Sequence, residues 1–183
     1  MLRKTVAVAA LLIANSVALE ARAEIELSGG FSFNRTNYSE GNFSWTRRAG
    51  GSIGYRLSLL SSIEFSIQEV VDRTRIIGFE DTVFTDNIYS INWVQNLFTL
   101  AAIQPYFKVG AGQLNRSATG TYANGSNPNP VTDSLTAVLG LGTRVFVTRG
   151  FAIRAELMSY LTGGNIGTYR DNVGMNIGLS LAL

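Results

Sequence analysis

Residues 172–183 read NVGMNIGLSLAL, and they alternate without a break. Val173, Met175, Ile177, Leu179, Leu181 and Leu183 are apolar, while Asn172, Gly174, Asn176, Gly178, Ser180 and Ala182 between them are polar or small. A period of two sends successive side chains to opposite faces of an extended strand; a helix would need apolar residues three and four apart. The same rhythm recurs upstream: Ile25 to Phe33, Trp45 to Leu57, Ile63 to Val71, Tyr89 to Trp93, Phe107 to Ala111, Leu135 to Val145 and Phe151 to Leu161. That makes eight strands, an even number, with no helical segment between them.

The connections alternate as well. Segments 58–61, 99–102 and 148–150 are short, whereas 38–42, 74–84, 116–133 and 162–171 are longer and polar, so the latter are expected as loops at one end. Short turns at one end and long loops at the other predict an all-β, eight-stranded antiparallel up-and-down transmembrane β-barrel. The boundary over 96–104 is blurred by Leu97, Phe98 and Leu100. A soluble barrel would place the same apolar face inside. Aromatic residues near strand ends (Trp45, Tyr55, Tyr89, Trp93, Phe107, Phe151) and long charged residues among Gly and Ser on the other face favour apolar side chains turned to lipid.

Residues 1–23 carry Arg3 and Lys4, then an apolar stretch, then Ala21-Arg22-Ala23, and so read as a secretory signal peptide removed before a 24–183 barrel domain. The whole chain has 183 residues, 15 Lys+Arg and 13 Asp+Glu. The leader holds three of the basic residues and one of the acidic ones (Glu20), which leaves 12 of each. A neutral mature chain gives nucleic acid no support as a partner. The absence of His and Cys excludes thiol nucleophiles, disulfides, Cys/His zinc sites and His-based relays.

Two motifs carry a family resemblance. Asn176, Gly178, Leu181 and Leu183 resemble the C-terminal assembly signal of bacterial outer-membrane barrels, with Leu183 where Phe is more usual. Residues 105–112, PYFKVGAG, are similar to a strand of the small OmpA transmembrane-domain/OmpX-like barrels. The resemblance implies a monomer in the outer membrane of a Gram-negative bacterium, inserted by the barrel-assembly machinery, with surface loops of varied role. It implies no cofactor. The barrel enzymes of that membrane use His, so no catalysis is expected.

The polar face collects Glu26, Arg48, Arg56, Glu64, Asp72, Lys108, Arg144, Arg154 and Glu156. In a narrow lumen unpaired charges are costly, so near-balance predicts an ion-paired core that plugs the barrel. The alternative is a narrow porin-like or laterally opening transporter of ions or small solutes. Arg35, Arg47 and Arg73 have outward parity near the long-loop end, where lipopolysaccharide phosphates are their expected contact. Glu69 shares that parity among apolar neighbours, unless a bulge turns it inward. The function expected is structural or adhesin-like, at the cell surface.

Overall fold

The computed structural model describes residues 25–100, 102–122, 125, 133–148, 150–163 and 173–183. The expected leader, residues 1–23, lies outside them. Eight strands follow in order: β1 (Ile25–Ser39), β2 (Asn42–Arg56), β3 (Ser61–Ile76), β4 (Glu80–Asn96), β5 (Ile103–Tyr122), β6 (Ser134–Phe146), β7 (Phe151–Thr162) and β8 (Val173–Ala182). Each pairs antiparallel with the next, and β8 pairs with β1 to close the barrel. Closure is what satisfies every backbone N–H and C=O in a medium without water.

The two faces separate cleanly. Even-numbered residues point inward on all eight strands, and the one register irregularity lies at Asn37/Ser39, beyond the apolar band. Phe31 (52% exposed), Ile91 (62%) and Leu141 (62%) stand on the outside, so the apolar face is the outer one. Such a belt suits lipid and not water. The soluble-barrel arrangement is thereby excluded.

Two expected loops are strand instead. β1 runs to Ser39 and β2 resumes at Asn42; β3 runs to Ile76 and β4 resumes at Glu80. Gly41 (φ 78°) and Gly78 (φ 81°) supply the left-handed residues for these tight reversals. Both stretches look loop-like in sequence because strict alternation of apolar and polar residues breaks down there. Cross-strand pairs hold them all the same: Ser44 to Thr74, Thr46 to Asp72, and Arg73 to Asp81. β5 likewise continues to Tyr122, through residues expected in a loop. The unclear turn after β4 closes where Leu100 and Ile103 exchange N–H···O bonds of 2.9 Å.

Strand length then shapes the rim. At about 3.3 Å per residue and about 40° tilt, the 16 residues of β3 rise about 40 Å against an apolar band of about 25 Å. The ten residues of β8 barely span it. The barrel wall is therefore tall on the β2–β5 side.

Candidate functional site

The lower lumen, near the short turns, holds three cations and three carboxylates drawn from β1, β3, β5, β6 and β7. Lys108 Nζ lies 2.5 Å from Glu64 and 2.9 Å from Glu156. Arg154 donates to Glu64 (2.7 Å), Glu156 (2.6 Å) and Ser28 (2.9 Å), and its Nε donates to the Tyr106 hydroxyl at 2.7 Å. That hydroxyl donates in turn to Glu156. Arg144 grips Glu26 with two hydrogen bonds of 2.9 and 3.0 Å and donates to Asn96 at 2.8 Å. Both guanidinium groups lie over the Tyr106 ring, at 4.5 and 5.2 Å. Tyr106 can lie across the lumen because residue 142 is Gly; a Cβ there would collide with the ring. Each charge is engaged by its opposite, which is what a desolvated interior demands.

Above this network the lumen turns apolar. Val70, Ile88, Leu114, Val138, Met158 and Tyr160 form a buried cluster contributed by β3 to β7. These residues escaped the sequence reading as a group, although all have the inward parity, because alternation labels a face and does not assemble rows from five strands. Facing them, β8, β1 and β2 present small residues, Ser28, Gly30, Gly50, Ser52 and Gly178. Between lies a polar cavity of about 50 Å³, bordered also by Gln68 and Asn176.

Six of the nine expected lumen charges meet in the network. Asp72 lies higher and accepts from Thr46. Arg48 reaches across to lie over Gly174, and its buried Nε has no hydrogen-bond partner. Arg56 stands opposite Ser62 at the short-turn end of β2. One inward pair was missed: Arg116 donates to Asp86 at 2.6 and 2.7 Å. Arg116 falls in the segment whose composition predicts a loop, yet it lies within β5. Among the described residues no cluster of His, Cys, Asp or Glu could hold a metal ion.

Arg35, Arg47 and Arg73 stand on the outer surface, joined by Arg75. Glu69 pairs with Ala49 and Asn87 in an unbroken ladder, so no bulge turns it inward; it meets Arg47 at 2.7 Å. Asp81 lies 3.2 Å from Arg73 and 3.9 Å from Arg75. Arg35 donates to Asn37 and stacks 4.9 Å from the Phe43 ring centre. In this belt four Arg face two carboxylates, so positive charge is in excess.

The C-terminal motif divides by face. Leu181 and Leu183 point to lipid, and Asn176 accepts from Ser32 inside. Gly178 sits where β8 closes on β1, so tightly that a Cβ would run into the Gly29 carbonyl.

No family model matches the chain, and no curated protein matches it. Solved structures do. Neisserial surface protein A (NspA) aligns at TM-score 0.54 and 15% identity, over 86% of this chain and 96% of that one. Ail, the attachment invasion locus protein of Yersinia pestis, aligns at 0.51 and 12%, over 89% and 100%. A de novo designed transmembrane β-barrel aligns at 0.53 and 10%, over 90% and 98%. At such identities the likeness is one of fold: a small eight-stranded transmembrane barrel.

Proposed function

We propose that this chain is a monomeric, non-enzymatic barrel of a Gram-negative outer membrane, exported behind residues 1–23 and acting as a structural and surface-interaction protein. The observation that carries the reading is the filling of the lumen by an ion-paired layer and then an apolar one, while the extra strand length rises on the outside. A passage lined by Val138, Leu114 and Ile88 offers an ion nothing to replace its hydration. The assembly motif at Asn176, Gly178, Leu181 and Leu183 is the part the barrel-assembly machinery would read. The outer belt of Arg35, Arg47 and Arg73 would meet lipopolysaccharide phosphates, which Arg binds bidentately. The fold likeness to NspA, a surface protein, and to Ail, an attachment invasion locus protein, agrees with a surface role.

Planar-bilayer recording of the purified barrel tests the closed lumen. No conductance above the leak is expected; reproducible steps would overturn it and revive the transporter, whose route would be the polar cavity beside the small-residue wall. Outer-membrane fractionation with heat-modifiable gel migration tests location, and recovery of the chain as a soluble periplasmic protein would refute it.

A further inference from the structure

The lipid-facing surface is not evenly studded with side chains. Gly51 of β2 pairs with Gly29 of β1, and Ala49 follows two residues on, so backbone lies bare there across two strands. Ile53 of β2 and Phe65 and Ile67 of β3 stand proud beside Ala49 and Gly51, and they border an open depression of about 620 Å³ on the outer wall that runs from β2 over β3. Its upper end is Glu69, held by Arg47 at 2.7 Å. Trp45, Arg35 and Arg73 form the next row up, paired side by side across β1, β2 and β3.

From this placement we infer that the depression seats one acyl chain of a phosphorylated, multiply acylated outer-leaflet lipid of the lipid A kind, its phosphate on Arg47 and Arg73. The inference rests on the basic-belt reading above and extends it to the chain below the head group. A hollow on a membrane-facing wall is filled by lipid, because an empty one forfeits dispersion contacts along its whole lining. In lipid the gain comes from fit and not from escape from water, so a groove one chain deep selects for a chain anchored in register. The anchor is electrostatic. Glu69 offsets the single charge of Arg47, Asp81 is shared by Arg73 and Arg75, and Arg35 meets only the neutral Asn37, so the belt as a whole keeps positive charge that a zwitterionic head group would not neutralise. The order down the wall, cationic row, polar cap, then bare apolar groove, matches the order of phosphate, linkage and chain in such a lipid.

The test is native mass spectrometry of the full-length barrel in detergent, titrated with hexa-acylated diphosphoryl lipid A and, separately, with phosphatidylethanolamine of matched chain length. Ala49→Leu fills the groove from the lipid side; Ala155→Leu adds the same volume to the outer face of β7. Ala49→Leu is expected to weaken lipid A retention about tenfold, with Ala155→Leu unchanged and the Arg47→Gln/Arg73→Gln double variant weakened as well. Unchanged retention in Ala49→Leu with loss in the Arg double variant would overturn the groove and leave the belt standing. Loss in Ala49→Leu alone would overturn the belt reading, and this proposal with it. Equal retention of phosphatidylethanolamine by the wild type would overturn the choice of lipid, and a dimer abolished by Ala49→Leu would show a second copy as the occupant instead. Heat-modifiable migration confirms folding of each variant. Should Ala49→Leu fail to fold, Ala49→Val, which favours strand, carries the same test at smaller amplitude.

Discussion

Removing Arg154 should destabilise the barrel more than truncating an aliphatic side chain on its lipid face. Its side chain is 5% exposed and bonds Glu64, Glu156, Tyr106 and Ser28. In Arg154→Ala, Arg144 still neutralises Glu26, and Lys108 must serve both Glu64 and Glu156, so one buried carboxylate is left uncompensated. Breaking a buried pair in this way costs about 3–5 kcal/mol. With a urea slope of about 2 kcal/mol per molar, the midpoint in lipid vesicles, followed by tryptophan fluorescence, should fall by about 1.5–2.5 M. Ile153→Ala on the same strand removes three carbons from the lipid face, worth about 2.4 kcal/mol at about 0.8 each and about 1.2 M in midpoint. The reasoning makes a second demand. Arg154→Met/Glu156→Gln removes one charge of each sign, leaves Lys108 on Glu64 and Arg144 on Glu26, and should recover at least half of the loss. A drop for Arg154→Ala no larger than for Ile153→Ala, or a double variant weaker than the single one, would refute the account of the lumen as a charge-balanced unit.

Other expectations are simpler to check. Gly142→Ala should push the Tyr106 ring off Arg144 and Arg154, costing about 1–3 kcal/mol, visible as a lower unfolding temperature on heat-modifiability gels. Gly178→Ala places a methyl against the Gly29 carbonyl, where backbone must shift, so refolded yield in vesicles should fall well below that of Gly29→Ala, whose Cβ would meet the Gly50 carbonyl oxygen at an ordinary 3.7 Å. Leu114→Ser wets the apolar layer, and bilayer recordings should then show conductance absent from the wild type; continued silence would mean that the ion-paired layer alone closes the lumen. Arg73→Gln should move the urea midpoint by no more than the worth of a surface pair, about 1 kcal/mol or less, since both it and Asp81 are more than a third exposed.

The fold was legible because alternation is a property of the chain alone: residues 172–183 need no partner to declare two faces. The content of the lumen was only half legible. Glu64 and Lys108 announce themselves as charges on the inward face, but that they meet, and that Arg48 does not join them, depends on the stagger between strands. Val138 and Met158 carried the right parity and the wrong expectation, since a row of apolar side chains inside a polar face exists only once five strands are in register. The rim misled for a different reason. Around residues 38–42 and 74–84 the alternation breaks down, with polar residues on both parities at 38–42 and apolar ones on both at Ile76, Ile77 and Phe79, so the contrast that marks a strand vanishes while the ladder continues. Glu69 looked anomalous by the same logic; its neighbour across the ladder diagonal, Arg47, is what accommodates it.

The unbroken register has a consequence for how such a wall can change. With no bulge inside the apolar band, each strand is built of two-residue units, one side chain for lipid and one for the lumen. Loss of a single residue within β3 would exchange the faces over the rest of that strand, sending the Glu64 carboxylate toward acyl chains, at a cost below the about 2–4 kcal/mol of an Arg or Lys at the midplane, and Phe65 into the ion network. Loss of two residues would only slide the strand by one rung. Within the membrane this protein can lengthen or shorten in steps of two, while its turns are free to vary by one, so insertions and deletions in its lineage should obey an even-number rule in the strands and none in the loops.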